Sequence, residues 1–145
     1  MEDKKWVAVW GNAPTHTGFY SPAKYAKDIT FRFIIKSAFD GVGVRVHFSN
    51  FSGKEPVTLT RASVAVCTDG FSVDKNTVTY LTFDGKSNVT IQPGAEVVSD
   101  AADISIKRCT DFAVSYYFSD FTNLSSGVGT LGPLTRCRFG VGDLT

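Results

Sequence analysis

No apolar run in this sequence approaches the ~18 residues that a membrane helix requires, and Met1 to Trp6 lack the apolar centre of a secretory leader. No membrane partner is expected, and the chain as written reads as soluble and cytoplasmic, although a secreted parent trimmed at its start would look the same. The three cysteines, Cys67, Cys109 and Cys137, are far apart and form no CxxC pair. Neither a disulfide framework nor a zinc site is expected from them, and they read as buried free thiols. Fifteen basic against fourteen acidic residues leave a net charge of +1, without a basic stripe to neutralise phosphates. Nucleic acid is therefore not expected as a partner. Helix-length amphipathic segments are missing as well, which argues against alternating strands and helices.

What is present is apolar content arranged in short, punctuated runs. With 43% hydrophobic and 13% aromatic residues, a chain of 145 residues suits one domain, spanning 1–145, with a packed core. A globule of this size buries roughly 70% of the surface its unfolded chain exposes, so no metal or cofactor is needed to hold it together.

Period two marks the strands. Val42, Val44, Val46 and Phe48 alternate with Gly43, Arg45, His47 and Ser49, and Phe31, Phe33 and Ile35 alternate with Arg32, Ile34 and Lys36. Asp40-Gly41 between them predicts an antiparallel hairpin. After a turn at 50–56, residues 57–66 return as a second run whose apolar residues change face, which predicts a bulge near Arg61 at a corner. Phe112, Val114, Tyr116 and Phe118 predict a central aromatic strand, and 134–139 a last one. Shorter strands are expected at 5–10, where Trp6 and Trp10 read as core, and at 78–83, 88–91, 96–98 and 103–106. Residues 14–28 and 122–133 read as loops, the first with a short helical turn at 23–27. The spacing predicts an all-β fold, an antiparallel β-sandwich.

Several pieces, in this order, carry a family likeness. They are Thr30-Phe31-Arg32 with Lys36-Ser37, then Val44 to Gly53 (VRVHFSNFSG), Pro56 to Leu59 (PVTL) and Leu81 to Gly85 (LTFDG). Val89 to Ala95 (VTIQPGA), Val98-Ser99-Asp100, Phe112 to Tyr117 (FAVSYY) and Gly142-Asp143 follow. Together they resemble the amino-terminal domain of two-domain SGNH/GDSL-family esterases and lipases across nearly the whole chain. The resemblance implies a jelly-roll-like sandwich serving as an accessory domain, with an SGNH catalytic domain of the same parent chain as its partner. That family places its nucleophile in a Gly-Asp-Ser motif and its base in an Asp-x-x-His motif. Neither occurs here, since Gly142-Asp143 is followed by Leu144, so the domain is expected not to be an enzyme by itself and no catalytic residue is carried over.

The residues offer few sites of their own. His47 and Ser49 share a strand face, but side chains two apart on a strand project in parallel and make a poor nucleophile and base. Asp100, Asp103, Asp111 and Asp120 are oxygen donors without the dense acidic loop of a calcium site, and no metal is expected. The alternative to an accessory role is a carbohydrate-binding module. Tyr20, Tyr25 and Tyr117 are candidates for the flat aromatic platform on which sugar C–H groups pack, with Asn50 as an amide for the hydroxyls.

Overall fold

The computed structural model describes residues 5–11, 15–16, 25–123, 126–127 and 135–145. They form an all-β, antiparallel fold of several sheets, one of them large and curled. Fourteen strands are described. In chain order they are β1 (Thr15–His16), β2 (Tyr25–Ala26), β3 (Ile29–Lys36), β4 (His47–Ser49), β5 (Val57–Leu59), β6 (Arg61–Asp69) and β7 (Ser72–Val73). β8 (Thr79–Tyr80), β9 (Val89–Ile91), β10 (Glu96–Val98), β11 (Asp111–Phe118), β12 (Thr122–Asn123), β13 (Ser126–Gly127) and β14 (Thr135–Val141) complete the set.

The six-stranded sheet runs β14-β3-β11-β6-β7, with β8 also on β6. Alternation decides its faces. In register, Tyr116 lies between Phe31 and Ala62, Val114 between Phe33 and Val64, and Phe112 between Ile35 and Val66. These residues form the inner face, and the ring of Tyr116 meets Phe31, Phe33, Phe48 and Phe118 at centroid separations of 5.7–5.9 Å. As its alternation predicts, β11 is central.

Opposite this face lies a looser layer. Residues 41–49 run antiparallel to 96–106 through isolated bridges, Gly41 with Ile106 and Val44 with Ala102, before β4 pairs with β10. Ala102, Ile104, Ile106 and Leu81 pack there against Ile35, Ala62, Val64, Phe112 and Val114. A second cluster of Ala26, Leu59, Phe83, Ile91 and Phe118 fills the other end. Burying each large apolar side chain is worth about 1.5–3 kcal/mol, so these clusters hold the 41–49 and 89–106 segments against the sheet.

Several expectations are corrected. The hairpin at Asp40-Gly41 does not form: β3 pairs with β11 and β14, and the chain leaves it for the opposite layer. Ser37 N–H donates to Thr110 O at 3.0 Å, and Asp40 Oδ1 accepts the Arg108 N–H at 2.8 Å. The Asp40-Gly41 pair is thus a crossover rather than a turn. Val42, expected inside, is 61% exposed. Residues 5–10 form no strand; Trp10 packs on the core, but Trp6 is 49% exposed, with the Arg45 guanidinium 4.3 Å from its ring centre. Tyr25–Ala26, expected in a helical turn, is strand paired with Thr122–Asn123. Residues 103–106 hold a bridge at Ile106 but no strand. The expected corner is real and falls at Thr60: β5 pairs with β9, Thr60 N–H reaches Tyr117 O, and β6 joins the large sheet. Of the thiols, Cys109 is exposed, while Cys67 and Cys137 are half-buried; all three are free.

The outer face of the sheet is covered by the last residues of the chain. Thr30 Oγ1 donates to Gly142 O at 2.6 Å and accepts from Leu144 N–H, Arg32 Nη2 donates to Leu144 O at 2.6 Å, and Ser63 Oγ donates to Thr145 O. Thr30, Ser63 and Ser115 are therefore buried without being unpaired, because Ser115 Oγ accepts from Arg32 Nε at 2.9 Å.

Candidate functional site

The candidate site is built around Tyr25. On β2, Ala26 points inward and is 1% exposed, which turns Tyr25 and Lys27 outward. Across the pair, Phe121 is 67% exposed; its ring meets Tyr25 edge-on at 6.5 Å, and Lys27 Nζ sits 4.6 Å from its centre. The Tyr25 hydroxyl donates to Glu55 Oε1 at 2.8 Å, and Asn123 Nδ2 donates to the same oxygen at 3.1 Å. The bond to the Glu55 carboxylate, which stabilises the protonated phenol, pushes the Tyr25 pKa above its ordinary value. Tyr25 is therefore a neutral donor at physiological pH.

Beside Phe121 lies an open depression of about 280 Å³, lined by Pro56, Thr58, Thr60, Ser119, Asp120 and Thr122 with the phenylalanine. Ligand pockets usually run to ~300–1,000 Å³, so this one suits a single ring or the end of a chain. Its hydroxyls are ordered: Thr60 Oγ1 and Ser119 Oγ are 2.7 Å apart, and Thr58 Oγ1 and Thr90 Oγ1 2.8 Å. An aromatic ring thus stands next to fixed hydroxyls and the Asp120 carboxylate.

Asn50, 1% exposed, stands behind this surface rather than in it. Its Nδ2 donates to Glu55 O at 2.9 Å and to Ile91 O at 3.1 Å, and its backbone oxygen accepts from both Gly53 and Gly94 N–H groups at 3.0 Å. Its Oδ1 has no hydrogen-bond partner and faces Gly53, where a Cβ would overlap it. Asn50 thus fixes the backbone that presents Glu55. Tyr117 points to the outer face, and its hydroxyl donates to Asp28 Oδ1 at 2.9 Å, a bond that raises its pKa. Tyr20 lies outside the described residues. Sequence reasoning missed Phe121 and Glu55: both lie in turn-like segments, and only the β2–β12 pairing brings Tyr25 to Phe121.

The other candidates are occupied structurally. His47 is exposed and Ser49 Oγ accepts from Phe51 N–H at 3.2 Å, so this serine serves its own turn. Asp100 accepts from Thr82 Oγ1 at 2.6 Å and from the Gly85 and Asp84 N–H groups, bonds that hold its pKa below the ordinary value. Among the described residues, no three His, Cys, Asp or Glu side chains are grouped to share a metal ion. Burial pushes the Cys137 thiol up to about 11, which keeps it protonated. No family model matches the chain, and no curated protein matches it.

Proposed function

We propose that this domain is a non-catalytic accessory module of an SGNH/GDSL-type ester hydrolase, a jelly-roll-like sandwich that packs on the catalytic domain and shapes access to its ester site. One observation carries the docking surface. On β14, Phe139 stands in register with Phe31, and Val141 with Ile29, on the core-facing side of the sheet, yet they are 74% and 77% exposed. An apolar face that continues beyond its own cover fits a partner surface. Titrating the domain with a separately expressed SGNH catalytic domain tests the reading. Binding is expected, and the double substitution Phe139→Ser, Val141→Ser is expected to weaken it at least about tenfold, a loss of ~1.4 kcal/mol. Absent binding, or binding indifferent to the pair, overturns it.

A second reading rests on the Tyr25–Phe121 surface: a carbohydrate-binding module that delivers an esterase to acetylated polysaccharide. Titration against a panel of glycans is expected to find a ligand whose binding disappears in Phe121→Ala. Uniform silence across the panel removes this role.

A further inference from the structure

The outer face of the large sheet carries charge that the fold does not neutralise. Arg32 on β3 lies directly across from Arg138 on β14, and Arg136 sits two residues earlier on the same side. Like charges in opposed strand positions repel, so a counter-charge is expected between them. Neither Arg32 nor Arg138 makes an ion pair among the described residues; the neighbouring Asp111 is taken by Lys36 Nζ and Arg136 Nη2, each 2.8 Å from its carboxylate. Arg32 is met by neutral acceptors alone, Ser115 Oγ, Phe71 O and Leu144 O. Arg138 makes no ion pair among the described residues; its guanidinium rests 4.4 Å from the centre of the Phe71 ring, which Arg136 also approaches at 5.6 Å.

Lys36 and Arg136 therefore share one carboxylate, and Arg32 and Arg138 make no ion pair among the described residues. Neutral carbonyls and a ring face orient guanidinium groups without cancelling their charge. Phe71 holds the two β14 arginines over the same spot, while the bonds to Leu144 and Phe71 fix Arg32 beneath them. Such an arrangement keeps the exposed Arg138 guanidinium, resting on Phe71, within a fixed positive field, the condition for charge-assisted recognition of an oxyanion. The Cys67 thiol reports the same field: Arg32 and Arg136 act to lower its pKa, against burial and Asp111, which raise it overall.

We propose that Arg32, Arg136 and Arg138, gathered around Phe71, form a binding site for a tetrahedral oxyanion, sulfate or phosphate, free or carried as an ester. With Arg136 paired to Asp111, the unpaired charges of Arg32 and Arg138 match a dianion better than a single carboxylate. This site lies on the sheet face opposite the core and is independent of the Tyr25–Phe121 surface and of the β14 apolar residues.

The test is calorimetric titration of the whole chain with sodium sulfate, sodium phosphate and sodium acetate in separate runs, sodium chloride holding ionic strength constant. Sulfate or phosphate is expected to bind saturably at one site, with acetate weaker. Preference of one tetrahedral anion over the other identifies the ester type. Arg138→Gln is expected to weaken binding at least about tenfold, and Arg61→Gln, whose arginine is paired with Asp143 at 2.7 Å, to leave it unchanged. Arg138→Lys, which keeps the charge but loses the planar donors, is expected to fall between, and it serves if the glutamine variant does not fold. Heats identical to those of chloride, acetate binding as tightly as sulfate, or full affinity in both Arg138 variants each overturn the site.

Discussion

Two regions of this fold are held together by different means. The six-stranded sheet owes its register to apolar alternation: along β11, Phe112, Val114 and Tyr116 each have an inward neighbour on both sides. In the layer of 41–49 and 89–106, strands are three residues long or reduced to single bridges, and polar side chains bond to backbone where a ladder would otherwise run. Ser99 Oγ accepts from Val46 N–H at 3.0 Å, Asp100 gathers the 82–85 turn, and Asn50 ties the 50–55 loop to the 91–95 turn. The first construction tolerates changes of shape poorly, because a packed face responds to volume. The second tolerates changes of hydrogen-bonding capacity poorly, since a buried carbonyl left alone carries its full desolvation cost.

That contrast can be broken by substitution. The largest effect is expected from Phe112→Ala in the middle of the sheet, where the ring is 2% exposed: a loss of about 3–5 kcal/mol, read from urea denaturation. If the loss fell below ~1 kcal/mol, the sheet would not be the apolar half. Next comes Asn50→Ala, which strands the Glu55 and Ile91 carbonyls and is expected to cost about 2–4 kcal/mol. Hydrogen exchange sharpens this prediction, because the Gly53 and Gly94 amides are expected to exchange faster while those of β3 and β11 keep their protection. Uniform acceleration would mean that the layers are not held separately.

The smallest effect concerns pH. Bonds from Thr82, Gly85 and Asp84 hold the Asp100 carboxyl below its ordinary pKa, so the folded state binds that proton less readily than the unfolded one. The resulting stability is present above an unfolded-state value of about 3.9 and is lost as pH falls through the lower folded value. Asp100→Asn is expected to lower stability at neutral pH and to flatten the acid limb of the profile between pH 4 and the folded value, so that variant and parent converge in acid. An unaltered acid limb would mean that Asp100 does not govern the 82–85 turn.

The same contrast explains what was legible in the sequence. The alternation in 29–38 and 112–118 marks strands that exist, because period two is a local property of the chain, and β14 falls where the last strand was expected. The hairpin at Asp40-Gly41 was misread because its dipeptide has turn chemistry, yet Asp40 spends its side chain on the distant Arg108 amide. Asn50 looked like a surface amide for the same reason, since polarity alone does not reveal that its partners, Glu55 O and Ile91 O, enclose it. Tyr25 was recognisable as an exposed aromatic, but its companions Phe121, Glu55 and Asn123 come from three separate segments. Arg136 and Arg138 carry no signal of their own in the sequence, since the register that sets Arg138 across from Arg32 joins positions more than a hundred residues apart.

The seat of Asn50 bears on how this domain can change. Because one carboxamide and one unsubstituted Cα define the path of the 50–55 loop, the side chains at its crest contribute little to its shape; Phe51, for instance, is 67% exposed. Glu55 rides on that path. New chemistry can therefore be tried at the rim of the Tyr25 surface by exchanging crest residues, while the scaffold that aims them stays as it is.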